Sequence, residues 1–347
     1  MSRSAAFTSE IIRTSTRGLA GMAAARLYES VADATTRYGE HGFDSWRQAI
    51  AARLSSLASA LDVGDPALFA EDIGWFRSVS AAREIPEADL GIALDAIGHT
   101  VRELLPDENG ALLDPYFDAA RRAIEEGTDL PPEFAPGGDA AEFFELALLG
   151  DLGGAREFIV RGIRSGRFSV SEAIADVILP AAREAGRRWH LGQFGVAAEH
   201  VVTSTLRSAL HAVTAVMDRP TPNGKAAFVA AVPGDAHDTA LLGFALLLEQ
   251  DGWRVALSGA DTPMEEIDPT ALGYECDLIA LSATMNSQRH AMAECFANRS
   301  SGVPVLVGGA AVRDSADART LGADGFAGNL ADGLAQARAL VGLAPRA

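Results

Sequence analysis

Apolar residues recur at every third or fourth position through most of the first 217 residues, and then the spacing changes. After Asp44-Ser45 the run Trp46, Ile50, Leu54, Leu57, Leu61 marks one face of an amphipathic helix. Asp65-Pro66 opens a second helix, with Leu68, Phe69, Ile73, Trp75, Phe76 and Val79, since proline suits the first helical turn. Pro86-Glu87 opens a third, with Leu90, Ile92, Leu94, Ile97 and Val101, and a last one runs from about Asp114 to Glu126. No valine- and isoleucine-rich alternation interrupts them. Residues 1–127 therefore read as an all-helical domain of about four or five helices.

Pro131, Pro132, Pro136, Gly137 and Gly138 cannot continue a helix, so 128–139 reads as a linker. Residues 140–218 carry four further helical segments, near 140–149, 154–165, 169–188 and 195–217. Ser169 with Glu172 forms a capping-box pattern at the third, and Pro180 is expected to kink it. From 224 to 347 short apolar runs replace the helical spacing. Ala226–Val232, Arg254–Ser258, Leu278–Ser282, Val303–Val307 and Gly325–Phe326 read as buried strands alternating with helices. The expected fold class is α/β: a helical N-terminal domain, a four-helix bundle, and a doubly wound parallel sheet of flavodoxin-like or Rossmann-like type. Ligands of such sheets bind beyond the carboxyl ends of the strands, here Gly234–Asp238, Gly259–Thr262, Ala283–Asn286 and Gly308–Ala310.

Composition narrows the chemistry. With 47 acidic against 29 basic residues the formal charge is −18, and Lys225 is the single lysine, so direct nucleic-acid binding is not expected. Two cysteines, Cys276 and Cys295, give neither a disulfide framework nor a zinc cluster. No apolar run nears the roughly 20 residues that span a bilayer, and no signal peptide is legible; a cytoplasmic protein without membrane contact is expected.

The first strand ends in Gly234-Asp235-Ala236-His237-Asp238. A carboxylate that takes the proton of one imidazole nitrogen frees the other to coordinate a metal; a helix-capping aspartate beside a solvated histidine is the plainer alternative. The third strand ends in Ser282-Ala283-Thr284 and the fourth in Gly308-Gly309, where glycine admits a close ligand or simply makes a turn. None of these ends has the glycine spacing of a dinucleotide-binding loop.

Together the segments resemble the cobalamin-binding domain, whose motif is Asp-x-His-x-x-Gly, then Ser-x-Leu or Ser-x-Thr, then Gly-Gly. Ala240 stands where that motif has its glycine, with Gly243 one turn later. The resemblance implies that His237 is the lower axial ligand of cobalt, with Asp235, Ala236 and Asp238 around it. It also implies that the cofactor's dimethylbenzimidazole tail lies in the sheet near Ser282, Thr284, Gly308 and Gly309. The bundle at 140–218 has the size and place of the cap that covers the upper corrin face. Within it Trp189 precedes Glu199-His200 by nine intervening residues. That Trp-x9-Glu-His spacing resembles the cobalamin-dependent light sensors related to the carotenoid-gene repressors, which implies that Trp189, Glu199 and His200 face an upper 5′-deoxyadenosyl group. A core tryptophan and a surface Glu-His pair are the plainer alternative.

Those repressors begin with a basic helix-turn-helix domain, which residues 1–127 do not resemble. The architecture looks more like the photocobilins, which implies biliverdin as a second chromophore. With no cysteine in that domain the bilin would be non-covalent, in a cleft lined by Trp75, Phe76, His99 and Arg102. The resemblance thus implies a photoreceptor rather than an enzyme. Its cofactor would be adenosylcobalamin or another cobalamin, and it would act through a homo-oligomer, such as a dimer, or a downstream protein partner. A corrinoid carrier of a methyltransferase system and a light-independent cobalamin sensor are the alternatives.

Overall fold

The computed structural model of the chain describes residues 3–127, 137–218, 220–297 and 299–344. The expected linker lies outside these residues apart from 137–139. The described residues form two compact units: one holds the residues before the linker together with His190–Gly192, the other holds the rest.

The first unit is helical. Its main helices are α1 (Arg3–Ser30), α2 (Gly42–Val63), α3 (Pro66–Ala81), α4 (Glu87–Leu104) and α5 (Asp114–Glu126). The Asp65 side chain accepts from Ala67 N and so caps α3, with Pro66 in the first turn. The apolar spacing read from the sequence becomes the core: Trp46, Ile50, Leu54, Leu57 and Leu61 of α2 pack with Leu68, Phe69, Leu90, Leu94, Ile97 and Phe117. That core also buries the ion pair Arg53–Asp72, whose guanidinium lies 4.8 Å from the centre of the Phe76 ring and 5.8 Å from that of Trp75. The cavity lined by Arg53, Phe76, Leu94 and Ile97 has room for about one water molecule, roughly 10 Å³.

Of the four residues expected to line a bilin cleft, Phe76 lines this cavity and Trp75 lies near Arg53, while His99 and Arg102 are placed elsewhere. His99 is exposed and pairs with Glu103 at 3.3 Å, while Arg102 pairs with Asp114 at 2.8 Å and lies over the Phe117 ring. The guanidinium inside this core belongs instead to Arg53, and Asp72 already neutralises it. His190, grouped with this unit, has Nε2 at 2.7 Å from Ser78 Oγ and its ring edge-on to Trp75. Burial, assisted by the charge of Arg83, lowers its pKa.

The second unit joins the four-helix bundle to the sheet. The bundle consists of α6 (Gly138–Leu148), α7 (Leu152–Arg164), α8 and α9 (Val196–Val213). α8 is a continuous helix made of Val170–Glu172, a π-helical stretch Ala173–Ile178, and Leu179–His190. Ser169 and Glu172 form the expected capping box at its start. Proline has no N–H to return to the preceding turn, and the wide π stretch ends just before Pro180, where a kink is expected.

The sheet elements alternate without exception: β1 (Ala226–Ala231), α10 (Thr239–Gln250), β2 (Arg254–Gly259), α11 (Met264–Gly273), β3 (Leu278–Ser282), α12 (Arg289–Ala297), β4 (Val305–Gly308), α13 (Ser315–Leu321), β5 (Gly325–Ala327) and α14 (Leu330–Leu340). The five strands lie in the order β2-β1-β3-β4-β5, all parallel. This is the expected doubly wound sheet. β1 is buried on both faces: Phe228 and Ala230 face one core, Ala227, Val229 and Ala231 the other. The register pairs Ala231 with Ser282 and Ser282 with Gly308, so three strand ends stand side by side. Between β1 and β3 the strand order reverses, which opens a crevice at the loops following them. The bundle packs on α10, where Leu242, Leu246 and Leu247 join its core. A Cβ on Gly243 would lie 2.7 Å from Ile174 of the π stretch.

Candidate functional site

The loop after β1 leaves the sheet through Val232-Pro233-Gly234, with Gly234 at φ +77°. Asp235 follows and is fully buried. Its Oδ1 accepts from the His237 backbone N–H at 3.0 Å and from His237 Nδ1 at 2.9 Å. A carboxylate only accepts, so Nδ1 carries the proton and Nε2 presents its lone pair. Asp235 Oδ2 accepts from the Thr284 N–H at 2.8 Å, across the crevice on the loop after β3. The His237 side chain is 64% exposed, so the imidazole stands proud of a buried support. The hydrogen bond to Asp235 raises the His237 pKa; partial burial opposes this, while the charges of Asp235, Glu199 and Asp238 add to it.

Two further side chains hold this loop. Asp261, in the loop after β2 at φ +46°, accepts from Gly234 N at 2.7 Å and donates its own N–H to Asp235 O at 2.9 Å. Gln288 Oε1 accepts from the N–H groups of Thr284 and Met285, both at 2.9 Å, and its Nε2 donates to Gly234 O at 2.9 Å.

On the bundle side, Glu199, Thr203 and Arg207 are spaced by four along α9 and share one face. Arg207 pairs with Asp238 at 3.0 Å, and the charge of Glu199 reaches His237, so this face is turned to the histidine loop. Thr203 Oγ1 donates to Glu199 Oε1. His200 is 3.6 Å from Glu199 but 71% exposed, and Trp189 is half-buried near the end of α8.

The structure thus brings Asp235, His237, Asp238, Thr284 and Glu199 into one neighbourhood. Ser282, Gly308 and Gly309 lie along the adjoining strand ends, and the Ala236 side chain is exposed. Gly309, at φ +94°, is required by the chain itself: a Cβ there would lie 2.2 Å from Ala283 O. Sequence reasoning missed Gln288, Asp261 and Arg207. Asp261 does fall in a strand-end segment that the topology marks, and Arg207 lies two turns beyond Glu199. Gln288 carried no signal.

Comparison with known proteins points the same way. Residues 140–214 and residues 225–337 each match a family model described as a B12 binding domain. The chain is 31% identical over 146 residues to the HTH-type transcriptional repressor CarH of Myxococcus xanthus, covering 41% of this chain and 48% of the repressor. To the repressor CarA of the same organism it is 33% identical over 147 residues, covering 41% and 49%. The chain therefore spans about half the length of the curated relatives it matches. Among solved structures, the monomethylamine corrinoid protein of Methanosarcina barkeri is similar in fold. Its TM-score is 0.50 at 17% identity, covering 56% of this chain and 95% of that one. Among the described residues no helix is long and apolar enough to cross a membrane. Cobalamin is thus the cofactor class to which this site is suited, and the stretch 140–337 carries two B12-binding domains of the kind found in the cobalamin-binding light-sensor family.

Proposed function

We propose that this chain is a cobalamin-dependent light-responsive regulator, with His237 as the lower axial donor and the α9 face of the bundle as the upper wall of the site. The observation that carries this reading is the Asp235–His237 pair: a fully buried carboxylate fixes Nδ1 and leaves Nε2 as a single exposed nitrogen donor. One imidazole cannot hold a metal ion by itself, and among the described residues no three His, Cys, Asp or Glu side chains gather to help it. A single donor suits a metal whose equatorial positions are filled by a macrocycle. The bound cobalamin would supply a cobalt–carbon bond that light can break.

The chain's own residues then have separate tasks. Asp235 fixes the tautomer of His237. Ser282, Gly308 and Gly309 line the strand ends where the tail of the cofactor would pass. Trp189, Glu199 and His200 would meet the upper ligand, and an adenosyl group suits an indole with a polar pair beside it. Arg207 and Asp238 join the two walls. The Trp189–Glu199 spacing favours this reading over a methyl carrier, which has no adenosyl group to cover. The charge of −18 favours a second copy or a protein partner over DNA as the recipient of the signal. A non-covalent biliverdin in the helical first unit would add a second chromophore, and a red-absorbing band in the spectrum of the full chain is its test.

The test is the absorption spectrum and hydrodynamic size of the full chain loaded with adenosylcobalamin, in darkness and after green light. The expected outcome is a histidine-ligated spectrum in the dark, lost in His237→Ala, with a change of spectrum and size on illumination. A loaded chain indifferent to light in both measurements would leave a light-independent sensor; transfer of a methyl group from a methylated donor would leave a carrier.

A further inference from the structure

We infer that Gln288 is a positioning residue that sets where the His237 imidazole stands, by locking the loops after β1 and β3 to each other. This rests on the reading of His237 as the axial donor.

Gln288 ends a short 3₁₀ turn, Asn286–Gln288, just before α12, and only 7% of it is exposed. Both ends of its amide are engaged, and they reach different loops. Oε1 gathers the Thr284 and Met285 N–H groups on its own side, while Nε2 crosses to Gly234 O, 54 residues away in sequence. The Thr284 N–H is shared, 2.9 Å from Gln288 Oε1 and 2.8 Å from Asp235 Oδ2. The relay therefore runs Gln288, Thr284 N–H, Asp235, His237. Gln288 places the N–H that orients the Asp235 carboxylate, and that carboxylate orients the imidazole. Through Gly234 it also holds the backbone one residue before Asp235.

The residue type follows from this geometry. A buried site that must accept on one side and donate on the other needs a carboxamide. A glutamate would keep the two accepted N–H groups and turn an oxygen toward the Gly234 carbonyl. A leucine would leave Gly234 O and Met285 N without their side-chain partner. Outer partners of this kind change metal affinity by about 10–100-fold in other metal sites.

The experiment is a double-mutant cycle on the full chain, read by cobalamin affinity and by the fraction of bound cobalamin with the histidine-ligated spectrum. Gln288→Leu is expected to lower affinity by about tenfold and to reduce the histidine-ligated fraction. Gln288→Glu, which keeps two of the three hydrogen bonds, is expected to fall between it and the wild type. In a His237→Ala background Gln288→Leu should change affinity less than about twofold, because its effect passes through the histidine. Equal losses in both backgrounds, or a wild-type spectrum and affinity in Gln288→Leu, overturn the assignment. Should Gln288→Leu fail to fold, Gln288→Glu carries the same cycle. A wild-type chain that binds no cobalamin overturns the proposed function itself, an outcome visible before any variant is made.

Discussion

The two walls of the site are built differently. Below, Asp235 is fully buried, Gln288 nearly so, and the loops after three strands are tied by side chains at distances of 2.7–2.9 Å. Above, the α9 face presents Glu199 half-buried, His200 largely exposed, and Arg207 with 47% of its side chain in solvent. The lower wall is held by hydrogen bonds among its own residues, the kind of preorganisation that limits the freedom lost on binding. The upper wall touches the histidine loop through one ion pair and a long-range charge. Under the proposed function, recognition would fall to the lower wall and movement to the upper, as a ligand-driven shift between two packings requires.

The strongest challenge to this contrast is Arg289→Met. Arg289 follows Gln288, is buried, and holds Asp317 with two hydrogen bonds at 2.6 and 2.8 Å while also donating to Ala311 O. Removing one partner of a buried pair strands the other charge, so a loss of about 3–5 kcal/mol is expected, measured by urea unfolding. A loss below about 1 kcal/mol would mean that the lower wall is not rigid. Acid should expose the same pair. Burial alone would raise the Asp317 carboxyl, but Arg289, the Arg313 N–H and the Arg313 charge outweigh it and hold it at about 2, against an ordinary 3.8. Because the folded value is the lower one, this stabilisation is complete above about 3.8 and is lost as pH falls toward about 2. Circular dichroism over that window should show a steeper loss of stability in the wild type than in Arg289→Met. The smallest effect is expected on the upper wall: Arg207→Ala should cost about 1 kcal/mol or less, while speeding cobalamin uptake in stopped-flow mixing. A large loss of stability there would erase the distinction between the walls.

Much of this was readable along the chain. Buried parallel strands announce themselves as unbroken apolar runs, and the histidine at the end of β1 lies where the topology sends ligands. The discrepancies are local and physical. β4 begins at Val305 rather than Val303 because Pro304 has no N–H for the ladder, and Asp324 takes the first N–H after it. Gln288 was illegible since a glutamine entering a helix looks like any surface residue until the facing loop is known. Trp189 and His190 are neighbours in sequence yet belong to different units, a divergence that spacing cannot express.

The meeting of Gly243 with Ile174 has a consequence for the whole arrangement. The four-helix bundle rests on α10 at a point where a single hydrogen atom stands in place of a methyl group. A methyl group added at position 243 would meet Ile174 at 2.7 Å, so Ile174 or the whole bundle, with the α9 face it carries, would have to give way.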